Sequence, residues 1–270
     1  MGGKEFFIGA DSDGTVFDSM TVKHKKAFIP ALIEVWGYES EKEKVYEICE
    51  NINLYSKTRG IDRFSGLELT FRRFEESGIK VPGFGDLKGF LNCGKSLSNT
   101  SLREYLKTYE SGFLKDVLRW SEEADEKFMK EMKGLMPFNG VKKALKKAAE
   151  KAEIAVISSA SEESLMHDWK KDGLCELTDK IFGQEFGKKS AQLKAAAERF
   201  KKENALMIGD APGDYKAACK ADISFYPIIP GKEEECWKLF EEKYLDLFFG
   251  GGLTDKIKEE LLRNFFSALD

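Results

Sequence analysis

Five short apolar runs alternate with helical patterns along this chain, and that alternation restricts its fold more than any other feature. The runs are Glu5 to Ala10, Ile154 to Ser158, Ile181 to Phe186, Ala205 to Gly209 and Ile223 to Ile229. Helical periodicity fills Val141 to Lys151, Glu162 to Lys171, Ala191 to Lys202 and Tyr215 to Lys220. Strands separated by helices at this pitch predict an α/β fold, a Rossmann-like parallel sheet with helices on both faces. In such a sheet, residues that carry chemistry belong at the carboxyl ends of the strands.

The stretch from about 20 to 137 reads differently. Val22 to Trp36, Lys42 to Asn53, Arg63 to Ser77, Leu102 to Tyr109 and Phe113 to Met132 are helical patterns, and no strand pattern lies among them. We therefore expect residues 1–18 and 138–230 to form the core and 19–137 an all-helical inserted domain. Residues 231–270 read as a helical extension, Glu233 to Phe248 and Thr254 to Leu269, hinged at Gly250-Gly251-Gly252. Its apolar load, including Trp237, Phe240, Phe248 and Phe265, is expected to pack on the protein's own core or cap; the other reading is a partner-binding face.

Composition narrows the function classes. A formal net charge of −4 argues against a nucleic-acid surface. The five cysteines form no C-x-x-C pair and there are two histidines, so a zinc site is not expected. Scattered thiols, no signal-peptide pattern and no apolar run near the roughly 20 residues of a membrane span predict a cytoplasmic protein without membrane contact. The sequence carries no signal for oligomeric state.

Four stretches stand at or near strand ends. The first strand runs into Asp11-Ser12-Asp13-Gly14-Thr15, where two neighbouring carboxylates repel unless compensated; taken alone, such a pentapeptide is a polar turn. The second strand ends in Ser158-Ser159, hydroxyls suited either to an oxyanion or to capping the next helix. Lys188-Lys189 opens a helix whose positive end suits a phosphate, though an exposed lysine pair reads the same way. The fourth strand delivers Gly209-Asp210-Ala211-Pro212-Gly213-Asp214, with Pro212 fitted to a first helical position.

In order and placement these stretches resemble the four signature motifs of the haloacid dehalogenase superfamily of phosphohydrolases, and the helical insertion resembles that family's cap. The resemblance implies Asp11 as a nucleophile that becomes an aspartyl-phosphate and Asp13 as general acid and base. It implies Ser158 and a lysine at 188 or 189 as partners of the transferring phosphoryl group, with Ser159 beside them. Mg²⁺ would be held by Asp11, the Asp13 carbonyl and Asp210, with Asp214 in support. Counting forward to the apolar positions Leu193 and Ala196 favours Lys189 over Lys188. Retention of Asp13 favours phosphoryl transfer over carbon–halogen or carbon–phosphorus cleavage. Within the insertion, Arg59-Gly60-Ile61-Asp62-Arg63 is similar to the cap specificity loop of the beta-phosphoglucomutase-like branch, which implies substrate contact at Arg63 and Arg59; two arginines opening and solvating a helix are the alternative. His24 is expected to be solvated beside Lys23 and Lys25, or else to face a cleft.

One competing motif is present. Gly89-Phe90-Leu91-Asn92-Cys93-Gly94-Lys95-Ser96 fits the phosphate-loop pattern of nucleotide-binding proteins, but a turn-rich approach precedes it instead of a strand, and Phe90 and Leu91 are bulky where backbone amides must close on phosphate. The expectation is a Mg²⁺-dependent phosphatase acting on a small phosphorylated metabolite. A phosphomutase and a non-catalytic binding protein are the alternatives.

Overall fold

A computed structural model of the protein describes residues 3–171 and 173–269, without the side chain of Lys133. The chain divides into two compact units, one of residues 1–18 and 136–270, the other of residues 19–135.

The first unit is built on a five-stranded parallel sheet: β1 (Phe6–Ala10), β2 (Ala152–Ile157), β3 (Lys180–Phe182), β4 (Ala205–Gly209) and β5 (Ser224–Pro227). The spatial order is β3-β2-β1-β4-β5, so β1 is central and pairs with both β2 and β4. Its register sets Ala10 beside Val156 on one side and Ile208 on the other. Strands covered on both faces are largely apolar; every residue of β2 and β4 is buried, including Glu153, whose charge is paired with Lys180 and Arg199. Along β1 the side chains alternate in the usual two-residue period, and Phe7 joins Ala155, Ile157, Leu193, Met207 and Phe225 in one layer of the core.

Three boundaries differ from the sequence reading. β3 stops at Phe182, and Gly183 after it sits against the backbone, where a Cβ would lie 2.5 Å from the Glu162 amide nitrogen. Residues Gln184–Phe186 then form a helical turn where strand was expected. The helix expected to begin near Ala191 spans Lys189–Ala197, and the one expected at Tyr215 spans Pro212–Ala221, starting at its proline. The second start follows from proline chemistry, which apolar periodicity does not register.

The C-terminal helices, Glu233–Leu239, Leu245–Phe249 and Asp255–Ser267, bury their aromatic load in this unit. Trp237, Phe240, Phe248 and Phe265 are each 2% exposed or less. Tyr226 of β5 packs on Phe240 at 4.9 Å and donates to the Cys236 carbonyl at 2.8 Å. Each such ring contributes roughly 1.5–3 kcal/mol by burial, and the face once considered for a partner is filled by the protein itself.

The second unit is helical, with principal helices Ile29–Trp36, Lys42–Leu54, Arg63–Glu76, Gly85–Leu91, Asn99–Leu106 and Gly112–Glu131. A π-helical stretch, Lys23–Phe28, precedes the first, next to Pro30, which has no amide hydrogen to continue the regular ladder. Its core is independent of the sheet and gathers Phe28, Leu32, Phe71, Phe74, Val117 and Trp120. The helix Gly85–Leu91 was not expected; it forms because Leu87 and Phe90 are wholly buried on one side of it. The first three residues of the phosphate-loop pattern, 89–91, are therefore helix, and Lys95 pairs with Glu104 at 3.0 Å on the surface. No described helix is long and apolar enough to cross a membrane.

Candidate active site

Parallel pairing brings the ends of β1 and β4 side by side, and with them the acidic residues. The Asp11 amide donates to the Ile208 carbonyl at 3.0 Å, which ties the start of the acidic loop to the neighbouring strand. Gly14 adopts φ +75°, and the Val16 and Phe17 amides turn back to the Ser12 carbonyl at 2.9 and 3.1 Å. Across the gap, Pro212 starts its helix and points Asp214 back, where its Oδ2 accepts from the Ala211 amide at 3.1 Å. Gly209 makes room for this return: a Cβ would stand 2.5 Å from the Asp214 Cβ.

Asp11, Asp210 and Asp214 thus converge, one carboxylate oxygen of each lying within 4.8 Å of the others. All three are at most 3% exposed. Lys189 supplies a cation, its Nζ lying 2.8 Å from Asp11 Oδ1 and 2.6 Å from Asp214 Oδ1. Thr15 donates its hydroxyl to Asp210 Oδ1 at 2.6 Å. Burial pushes the Asp11 carboxyl well above the usual range; the Lys189 ammonium opposes this, while Asp214 and Asp210 add to it. Asp214 is raised for the same reason, burial first, against the pull of Lys189. For Lys189 burial acts downward, yet the attraction of Asp11 and Asp214 is the stronger effect together and holds it above its ordinary value.

Three buried carboxylates face one ammonium, so negative charge exceeds positive. The buried Asp11 Oδ1 has the Lys189 ammonium at 2.8 Å as its close polar contact. Three buried carboxylates gathered around one lysine suit a hard divalent cation, since oxygen donors of this kind are what Mg²⁺ takes. The donor set fits the ion implied by the sequence.

The other expected residues are distributed as follows. Ser158 is buried at the end of β2, its amide donating to the Phe182 carbonyl at 3.0 Å and its Oγ accepting from the Ala160 amide at 3.1 Å, which leaves its hydroxyl hydrogen free to donate. Ser159 is exposed, and Asp13 is half-buried, in a bridge with Phe17. The Asp13 side chain is not one of the three gathered carboxylates. Lys188 is exposed, one helical phase away from the acids that Lys189 reaches. Gln192 holds the surrounding loops by donating to the Ser158, Gly183 and Gly187 carbonyls at 3.0, 2.8 and 2.9 Å.

In the helical unit, Arg59 is 4% exposed and donates to the Leu54 carbonyl at 2.9 Å. Arg63 pairs with Asp125 at 2.8 Å, bonds Ser121 Oγ at 2.8 Å and lies over the Phe28 ring at 5.0 Å. His24 corrects the expectation of a solvated ring: it is 8% exposed and packs edge-on against Phe28 at 5.4 Å. Burial, with Lys23, Arg59 and Arg63 nearby, lowers its pKa to about 3. His24, Asn53, Arg63 and Thr70 line a cavity of about 20 Å³, the size of one water molecule.

Residues without a role in the sequence reading also belong to the site. Thr15 lies within the acidic motif and was visible there. Trp169 and Trp237, whose ring nitrogens donate to Ser12 Oγ at 3.0 Å and to the Thr15 carbonyl at 2.8 Å, gave no local signal.

The profile of the haloacid dehalogenase-like hydrolases matches residues 92–228, just over half of the chain. The chain belongs to this family. The matched stretch holds β2 to β5 with Ser158, Lys189, Asp210 and Asp214; β1 and its acidic loop lie outside it and join the family site through sheet pairing. Solved structures with the same fold include a candidate phosphoglycolate phosphatase from Haemophilus somnus 129PT, 13% identical over 84% of this chain and 86% of its own, with a TM-score of 0.52. A candidate beta-phosphoglucomutase from Thermotoga maritima is 16% identical over 88% and 99%, with a TM-score of 0.50. A candidate phosphoglycolate phosphatase from Lactobacillus delbrueckii subsp. bulgaricus is 14% identical over 96% and 99%, also at 0.50. At these identities the likeness concerns the fold of this haloacid dehalogenase-like hydrolase. No curated protein matches its sequence.

Proposed function

We propose that the protein is a Mg²⁺-dependent phosphatase that hydrolyses a small phosphorylated metabolite, in the cytoplasm, through an aspartyl-phosphate on Asp11. The supporting observation is the convergence of Asp11, Asp210 and Asp214 within 4.8 Å, with Lys189 between two of them. Asp11, the Asp13 carbonyl, Asp210 and Asp214 would hold the ion, which when bound neutralises charge on the phosphoryl oxygens.

The chain's own residues account for the rest. An Asp11 carboxylate oxygen forms a bond to phosphorus as the bond to the leaving alkoxide breaks. The Asp13 carboxyl passes its proton to that alkoxide, then as carboxylate takes a proton from the water that attacks the phosphoenzyme. The phosphorus–Asp11 bond breaks, which releases phosphate and restores both carboxyl groups. The Ser158 hydroxyl and Lys189 ammonium bind the equatorial oxygens, where negative charge concentrates. Ser159, exposed next to Ser158, is a further hydroxyl for the substrate, and Arg63 and Arg59 are proposed as substrate contacts on the resemblance of their loop alone.

The test is a panel of phosphorylated metabolites and p-nitrophenyl phosphate, assayed with and without Mg²⁺. Phosphate release that needs the ion and drops at least about 10³-fold in Asp11→Asn is the expected result, because the nucleophile is lost outright. Isomerisation of a sugar phosphate without phosphate release would instead make the protein a phosphomutase, and activity retained in Asp11→Asn would overturn both readings.

A further inference from the structure

The loop after β1 is held from two sides by indole rings. Residues 12–17 close on themselves, with the Gly14 amide donating to the Phe17 carbonyl at 2.8 Å in addition to the bonds to the Ser12 carbonyl. Two acceptors are then taken up from outside the loop. Trp169, in the helix Glu162–Lys171, donates Nε1 to Ser12 Oγ at 3.0 Å, and Trp237, in the C-terminal helix Glu233–Leu239, donates Nε1 to the Thr15 carbonyl at 2.8 Å. Both rings are wholly buried and locked edge-on by neighbours, Trp169 by Phe17 at 6.1 Å and Trp237 by Phe240 at 5.9 Å.

Thr15 is the hinge of the argument. Its carbonyl is fixed by Trp237 while its hydroxyl donates to Asp210 Oδ1 at 2.6 Å. One residue of the loop that begins with Asp11 therefore links the C-terminal helix to the carboxylate that follows β4.

We propose that Trp237 and Trp169 are positioning residues: they hold the 11–17 loop so that Asp11 and Asp210 keep the spacing a divalent cation requires, which makes the C-terminal segment part of the catalytic apparatus. This rests on reading those two aspartates as cation ligands. Trp237 and Thr15 both lie outside the stretch 92–228 that the family profile matches.

The chemistry of the donor explains its choice. An indole N–H is neutral, donates and cannot accept. It grips an acceptor beside an acidic cluster without offering a lone pair to the cation and without offsetting the carboxylate charge the cation needs. A lysine ammonium in the same place would also donate, but its charge would offset that of the carboxylates. The geometry matters because Mg²⁺ tolerates little departure from octahedral coordination at about 2.0–2.1 Å. Without Trp237 the Thr15 carbonyl would be a buried acceptor lacking a partner, and the loop would shift to find one.

The test is calorimetric titration of Mg²⁺ into the full chain and into the Trp237→Phe, Trp169→Phe and Asp210→Asn variants, alongside kcat and KM on p-nitrophenyl phosphate. Phenylalanine keeps the ring and removes the donor. We expect each phenylalanine variant to bind Mg²⁺ roughly 10-fold more weakly, the usual effect of losing a group that orients a ligand. Their kcat should fall by a similar factor, with KM within about twofold. Should a phenylalanine variant fail to fold, Ser12→Ala, which removes the acceptor of Trp169 and leaves the ring in place, carries the same expectation. Unchanged Mg²⁺ affinity and kcat in folded variants, with only a lower melting temperature, would reduce the indoles to packing and overturn the proposal while the cation site stands. Wild-type protein that binds no Mg²⁺, or Asp210→Asn that binds it as well as wild type, would overturn the cation reading and the proposal with it.

Discussion

At the scale of single residues, two neighbours and one glycine carry sharp expectations. Lys189 lies within 2.8 Å of Asp11 and 2.6 Å of Asp214, while Lys188, one position earlier, is exposed. Lys189→Met is expected to abolish phosphate release and Lys188→Met to leave kcat within a few-fold, which steady-state assays on p-nitrophenyl phosphate will read. A pair of equal effects would mean that the helix presents both. Gly209 is fixed by space: its missing side chain leaves room for Asp214, at 2.5 Å from where a Cβ would be. Gly209→Ala should cost about 1–3 kcal/mol by overpacking, seen as a lower urea midpoint, and should impair Mg²⁺ binding by displacing Asp214. The acids themselves were legible in the sequence, since carboxylates placed directly after apolar runs are unusual unless something compensates them. The preference for Lys189 over Lys188 was legible too, from the count to the apolar positions Leu193 and Ala196, and Lys189 is the one that meets Asp11 and Asp214; that it meets those two acids depends on the fold.

At the scale of elements, the helix Gly85–Leu91 decides against the phosphate-loop motif. Its buried Phe90 occupies a position that a nucleotide-binding loop would leave open, and no described strand leads into it. Lys95→Ala is therefore expected to leave Mg²⁺-dependent activity within a few-fold; a collapse of activity in that variant would reopen the nucleotide reading. The C-terminal helices make the complementary point. Their amphipathic pattern was plain in the sequence, but a pattern states that a face is apolar and not what covers it. Tyr226, Phe225 and Phe6 are what cover it.

At the scale of the whole molecule, stability under acid should be governed in part by the helical unit. His24 is neutral when folded because burial holds its pKa near 3, whereas an exposed histidine in the unfolded chain titrates near 6.5. Between those values the unfolded chain binds a proton that the folded one refuses. The stability linked to this residue is complete above pH 6.5 and is lost as pH falls toward 3, at up to about 1.4 kcal/mol per pH unit. Urea unfolding at pH 7 and pH 5 is expected to show wild type losing about 1–2 kcal/mol more than His24→Asn over that interval. Equal losses would mean that the ring is hydrated in solution. The separate cores of the two units, one around Phe71 and Trp120 and the other around Phe7 and Met207, make such a local effect measurable without direct damage to the sheet.

The amino-acid sequence determined the parallel α/β architecture, the helical insertion and the candidate acids at the strand ends, because strand period, helix period and turn chemistry are local and act within a few residues. Tertiary structure decided what no local pattern encodes. The sheet order β3-β2-β1-β4-β5 brings Thr15 to Asp210 across 195 positions and to Trp237 across 222. It also fixes which lysine meets the acids, and the packing of the helical unit hides His24 from water. Hydrogen bonds and burial over such distances exist only once strands have paired, so their residues carry no mark in the sequence beyond being a tryptophan, a lysine or a histidine.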